Sequence, residues 1–183
     1  MKRGMISSLR FSISILLTGL ILSFDPAQSA KAQPSGGTSG AAAREAMISI
    51  FDRKDISAVD RFFADQFVQH DPNIPDGLAG LRQYAANIAA SPGARIRIYR
   101  TLEDGDLVLL HSKYEGLNGQ VAALVAFDLF RFKDGKIVEH WGGQEPESPP
   151  NPSGHTQVDG PTDIIDRDKT EENRELVDRK SVV

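Results

Sequence analysis

The apolar residues of this chain change period near residue 93, and that change limits the folds open to it. Before it they recur at three- and four-residue spacing. Ala43, Met47, Ile50 and Phe51 form one stripe, and Leu81, Tyr84, Ala85 and Ile88 another. A stripe of this kind predicts helices that bury one face. Beyond residue 94 the apolar residues fall at every second position, the period of a strand with two unlike faces. Helices first and then an antiparallel meander predicts an α+β domain with its helices on one face of a curved sheet.

The helical half reads as a first helix from residue 41, a second over 55–63 with Val59, Phe62 and Phe63 inward, and a third over 78–90. Ser91-Pro92-Gly93 stops the third. Between the second and third, residues 67–72 read as a short extended piece, because Pro72 disfavours helix at Asp71. Four strands follow, over 95–100, 107–115, 121–132 and 136–141. Turn chemistry at 103–106, 117–119 and Asp134-Gly135 separates them. From Gly142 onward no period survives. Pro146, Pro149, Pro150, Pro152 and Pro161 predict an extended arm, and Asp168 with Glu171 predicts the opening of a short tail helix.

The N-terminus reads as an address. Lys2, Arg3 and Arg10 precede a mostly apolar run over 11–24, which is short beside the ~20 residues of a membrane span. Ala30-Lys31-Ala32 has the small-residue form of a cleavage site. The predicted organisation is a secretory signal peptide at 1–32, a Gly- and Ser-rich linker at 33–40, an α+β domain at 41–145, and the arm with its tail helix at 146–183. The mature protein is expected to be exported, periplasmic or extracellular, with no membrane attachment after cleavage. The whole chain has 183 residues, a net charge of −4 and no cysteine. Cleavage removes mainly basic residues, so nucleic acid is not an expected partner. Disulfides and thiolate metal sites are excluded.

Asp128 is the most informative residue. Leu124, Ala126, Asp128, Phe130 and Phe132 share one face of the third predicted strand, so a carboxylate stands on an apolar surface. An acid in such a place favours its neutral form unless it is paired, and this suits acid/base chemistry. A structural carboxylate bonded to backbone or arginine is the alternative. His70, His111 and His140 each lie in or beside apolar stretches, where an imidazole needs a partner. His70, Asp71, His111, Asp128 and His140 offer metal-ligand atoms, but no H-x-H or H-E-x-x-H spacing supports a site, so no metal is expected. No G-x-S-x-G elbow and no glycine-rich phosphate loop is present.

Val68-Gln69-His70-Asp71-Pro72, with Asp76-Gly77 after it, resembles the QHNP…DG segment of SnoaL-like proteins, a polyketide cyclase family of the nuclear-transport-factor-two-like superfamily. So do Val125-Ala126-Phe127-Asp128-Leu129-Phe130-Arg131-Phe132 and the run from Asp134-Gly135-Lys136 through His140-Trp141. The resemblance spans roughly residues 41–144. It implies a cone-shaped, highly curved antiparallel sheet wrapped around the N-terminal helices and enclosing an apolar pocket. It further implies a homodimer, no cofactor, and an aspartate that removes a proton beside a carbonyl in an aldol closure or isomerisation. On that resemblance Asp128 takes the acid/base role with His111 beside it. His70, His140, Trp141, Phe130 and Tyr84 line the pocket around a small apolar carbonyl compound. The family commonly reads EHWD where Gly142 follows Trp141 here.

Three readings follow. The first is cofactor-free acid/base catalysis at Asp128, and the second a non-catalytic exported module binding a small molecule in the same pocket. A purely structural domain is the third, and it predicts a pocket filled by the domain's own side chains. Fold alone does not separate them.

Overall fold

The computed structural model describes residues 38–117, 122–163, 165 and 167–180. The predicted signal peptide, the linker up to residue 37 and the turn at Asn118-Gly119 lie outside the described residues. Helix α1 (Ser39–Phe51) opens at Thr38, whose hydroxyl accepts from the Ala41 N–H at 3.2 Å. It buries Ala43, Ala46, Met47, Ile50 and Phe51, the stripe that the spacing predicts. Helix α2 (Ala58–Phe62) is one turn. Strand β1 (Phe63–Gln69) follows directly, then helix α3 (Gly77–Ala89). Asp76 joins these last two. Its carboxylate accepts from the Gln69 N–H at 2.7 Å and the Gly77 N–H at 2.8 Å, so the cap of α3 also fixes the end of β1.

Four more strands complete the sheet: β2 (Arg95–Asp104), β3 (Leu107–Glu115), β4 (Leu124–Lys133) and β5 (Lys136–Pro146). The order is β1-β5-β4-β3-β2, with antiparallel neighbours except β1, which runs parallel to β5. The expected α+β architecture holds, as a curved, unclosed sheet with helices against one face. The β4–β5 turn, Asp134-Gly135, has φ of 51° and 78°, the left-handed pair that a two-residue hairpin requires. The sequence reading differs in several places: β2 runs on to Asp104 through residues read as turn, Phe63 begins β1 instead of closing the second helix, and β4 starts at Leu124. The segment before Pro72 is a fifth strand of the sheet, and β5 continues through Gly142-Gly143 to Pro146.

Two bulges decide which side chains face inward. In β2, Ile98 pairs with Ser112 but Arg100 pairs with His111, so Tyr99 is the extra residue and Arg100 turns to the outer face. In β5, Ile137 pairs with Phe132 and Glu139 with Arg131, so Val138 is extra. Ile137 and His140 are therefore both buried, three residues apart, and Trp141 turns outward.

After Pro146 the chain folds back over the outer face of β2 and β3. The Arg100 guanidinium donates to the backbone carbonyls of Val158, Asp159 and Pro161 at 3.4, 2.5 and 3.3 Å. Gln157 bridges Ser148 and Glu145 at 2.7 and 2.6 Å. The tail helix is α4 (Thr170–Lys180).

Candidate functional site

The inner face of the sheet carries one connected set of polar groups. Period two places Asp128 inward between Ala126 and Phe130, where it is buried. His140 stands opposite Phe130 across β4–β5, one diagonal step from Asp128, and Gln69 stands opposite His140 across β1–β5. Asp128 Oδ1 lies 3.2 Å from His140 Nε2. Asp128 Oδ2 accepts from the Tyr114 hydroxyl at 2.7 Å. His140 Nδ1 lies 2.8 Å from Gln69 Oε1, and that same oxygen accepts the Asp71 N–H at 2.9 Å.

This arrangement fixes the proton inventory. Turning the Gln69 amide over would set its NH₂ against the Asp71 N–H, donor to donor, so Oε1 must face both Asp71 and His140. The proton on His140 Nδ1 is then committed to Gln69. The Nε2···Oδ1 contact, at 3.2 Å, sets an imidazole nitrogen against a carboxylate oxygen, a pairing that attracts only with a proton between them. The surroundings are apolar: Phe130 stacks on the His140 ring at 4.7 Å, and Phe51 lies 4.8 Å from the Tyr114 ring. Burial, reinforced by the charge of Asp128, pushes the Tyr114 phenol well above its ordinary range, so it remains a donor. Burial likewise raises Tyr84, with Asp128 and Asp71 as the nearby charges.

Beside His140 is a cavity of about 30 Å³. Its walls include Met47, Phe51, Gln69, Tyr84, Phe130 and His140. Side chains fill most of the pocket, and Asp128 lies behind His140. A wider recess of about 950 Å³ opens between the start of α1, the end of β2 and the C-terminal segment. No member of the Asp128–His140 chain lines it.

The structure brings Asp128, His140, Phe130 and Tyr84 together and leaves His111, His70 and Trp141 elsewhere. His111 corrects the expected pairing with Asp128. It stands opposite Phe127, on the outer face, whereas Asp128 stands opposite Leu110 on the inner one. There it stacks on Phe127 at 4.5 Å, and its Nδ1 lies 3.1 Å from Arg100 Nη1. His70 and Trp141 are also outside the pocket. They stack at 4.9 Å, with His70 Nε2 2.9 Å from Glu139. His70 and Arg131 hold the Glu139 carboxyl below its usual range. Among the described residues no group of three His, Asp or Glu side chains is placed to hold a metal ion.

Gln69 and Tyr114 are the members that sequence reasoning missed. Both carried the signal that exposed Asp128. Gln69 alternates with Phe67 on the apolar face of β1, and Tyr114 with Val108 and Leu110 on that of β3.

A curved, unclosed sheet with helices on one face and a buried acid–imidazole pair beside a cavity defines a pocket domain of the NTF2-like class. The family model of the SnoaL-like domain matches residues 45–140, more than half of the chain, and the chain belongs to that family. No curated protein sequence matches it significantly. Among solved structures it is similar to a candidate polyketide cyclase from Bacillus cereus, at 26% identity and TM-score 0.50, over 57% of this chain and 72% of that one. It is similar in fold to IdmH, a candidate polyketide cyclase from Streptomyces antibioticus, at 18% identity and TM-score 0.51, over 60% and 93% of the two chains. An NTF2-like protein of unknown function from Cytophaga hutchinsonii aligns at 14% identity and TM-score 0.52, over 62% and 95%.

Proposed function

We propose that this domain performs cofactor-free acid/base chemistry on a small, largely apolar carbonyl compound, with Asp128 and His140 as the proton-handling pair. One observation carries the reading: a buried carboxylate and imidazole in contact, Asp128 Oδ1 3.2 Å from His140 Nε2, inside an apolar site and next to a cavity. Once wall side chains move and admit a ligand to Asp128, a carboxylate with lone pairs beyond its bonds to His140 and Tyr114 can take a proton from carbon and return it, which is what enolisation, isomerisation and aldol closure need. The likeness to the Bacillus cereus candidate cyclase at 26% identity supports the same class. Asp128 orients the imidazole, Tyr114 holds the second carboxylate oxygen, and Phe130 and Tyr84 contact the ligand.

A non-catalytic binding module in the same pocket is the second reading, and the small, mostly filled cavity favours the third, a structural domain whose polar chain serves to fix the core. One experiment separates them. Cyclohexanone and 2-tetralone are incubated with the protein in heavy water, and α-proton exchange is followed by proton NMR. Catalysis predicts exchange faster than in buffer, falling by about 10²–10⁴ in Asp128→Asn. Binding without exchange establishes the module, and neither binding nor exchange overturns both of these readings and leaves the structural domain.

Export is proposed on the N-terminal sequence, and cleavage after Ala32, read by N-terminal sequencing of secreted protein, tests it. A homodimer through the outer sheet face, where Phe127 is 52% exposed, is proposed on the family resemblance, with sedimentation as its test.

A further inference from the structure

Gln69 presents a donor that nothing in the domain uses. Its side chain is more than nine-tenths buried and forms part of the cavity wall. Its Oε1 is taken twice, by the Asp71 N–H and by His140 Nδ1. Its Nε2 is buried with no hydrogen-bond partner. The Asp71 contact forbids the amide flip that would give this nitrogen a role. Buried donors without partners are few in folded proteins, because each forfeits the hydrogen bonds it had in water. Here the unpaired donor belongs to a side chain that lines a cavity, with the nitrogen itself covered, so a ligand reaches it only when a wall side chain moves.

We infer that the free N–H of Gln69 is the docking point for the carbonyl oxygen of a neutral ligand. The chemistry of the walls selects that class. Met47, Ile50, Phe51, Phe63, Leu81 and Phe130 ask for an apolar body. An amide N–H asks for one acceptor. An anion is disfavoured because Asp128 and Asp71 both act on this region, as their effect on Tyr84 shows. A cation finds a donor where it needs an acceptor. A ketone, aldehyde or ester oxygen satisfies all of these conditions. The space of about 30 Å³ is smaller than such a molecule, so binding requires movement of wall side chains, of which Met47 is the most adaptable.

The inference rests on the proposed ligand site and adds a role to it. A donor fixed by two other bonds reaches the ligand oxygen already oriented. Its hydrogen bond strengthens as that oxygen gains negative charge during proton removal from the neighbouring carbon. Gln69 would then share the work with the pair it orients, polarising the carbonyl while Asp128 and His140 handle the proton.

The test uses two probes of one shape, cyclohexanone and methylenecyclohexane, which differ in the acceptor. Affinities are measured for the wild type, Gln69→Met and Asp128→Asn, and the Gln69 side-chain amide is followed by nitrogen–proton NMR. Cyclohexanone is expected to shift that amide resonance and to bind the wild type about tenfold tighter than Gln69→Met. Methylenecyclohexane should bind both proteins alike. Equal affinity of the two probes for the wild type, an unmoved amide resonance, or no binding of either probe overturns the inference. The first two need no variant, so they stand even if Gln69→Met fails to fold. A preference for cyclohexanone that survives in Asp128→Asn, without exchange in the wild type, refutes the catalytic reading and keeps the carbonyl site. Exchange that is indifferent to Gln69→Met does the reverse.

Discussion

Tyr114 carries its hydroxyl onto a face shared with Val108 and Leu110, and it donates to Asp128 Oδ2 at 2.7 Å from a side chain that is 4% exposed. Tyr114→Phe would keep the ring against Phe51 and leave a buried carboxylate oxygen without that donor. The expected loss is about 1.5–3 kcal/mol, the range for hydrogen bonds to charged groups, read as a lower urea midpoint at unchanged m-value. An exposed or water-bonded carboxylate would give a loss near zero. At this scale the sequence was informative about Asp128, because one acid among Leu124, Ala126, Phe130 and Phe132 has a clear face. It was silent about His111. Both faces of β3 carry apolar residues, Val108 and Leu110 on one and Leu107 and Leu109 on the other, so alternation alone did not say which side His111 takes.

Between elements, β5 passes close to the loop after β1 at Gly142. A Cβ placed on Gly142 would fall 2.5 Å from Asp71 Oδ2, far inside van der Waals contact. Asp71 has little room to retreat, since its other oxygen accepts the Asn73 N–H and side-chain amide at 2.8 and 3.0 Å. Gly142 does not adopt positive φ, so alanine is sterically opposed by Asp71 and not by the backbone. Gly142→Ala should therefore cost about 1–3 kcal/mol, as overpacking does. In an Asp71→Ala background the added cost should fall below about 0.5 kcal/mol, and urea unfolding of the four proteins closes the cycle. An undiminished cost would mean that β5 itself rejects the methyl group. The period switch made the helices and the antiparallel meander legible, and it placed β3 at its observed ends. The pairing of β1 with β5 was not legible, because its partner is some seventy residues away and no local pattern names it. Nor were the bulges at Tyr99 and Val138. A single extra residue reverses every side chain beyond it, so Trp141, which the family resemblance placed in the pocket, turns outward, and Arg100 meets His111.

For the molecule as a whole, the C-terminal segment turns an outer-face histidine into a buried one. His111 is 7% exposed, although it lies on the face opposite the core. Its cover comes from the chain after Pro146, which Arg100 holds through three backbone carbonyls. Burial first, and the Arg100 charge second, hold the imidazole below its ordinary value of 6.5, so the folded state keeps it neutral. Between 6.5 and that lower value the unfolded chain binds the proton and the folded chain does not. The slope of stability with pH is then positive, and stability is lost as pH falls through this window. His111→Phe, which retains an aromatic ring against Phe127, should flatten the slope relative to the wild type, measured by urea unfolding between about pH 7 and pH 5. Truncation after Pro146 separates the two causes. It removes the cover and leaves Arg100, and all five strands and the three helices around the site precede it. The His111 imidazole, titrated by NMR in the truncated protein, should move up toward 6.5 if the segment's cover dominates. A value that stays low would overturn the segment's cover as the cause and remove the coupling between the C-terminal segment and acid stability.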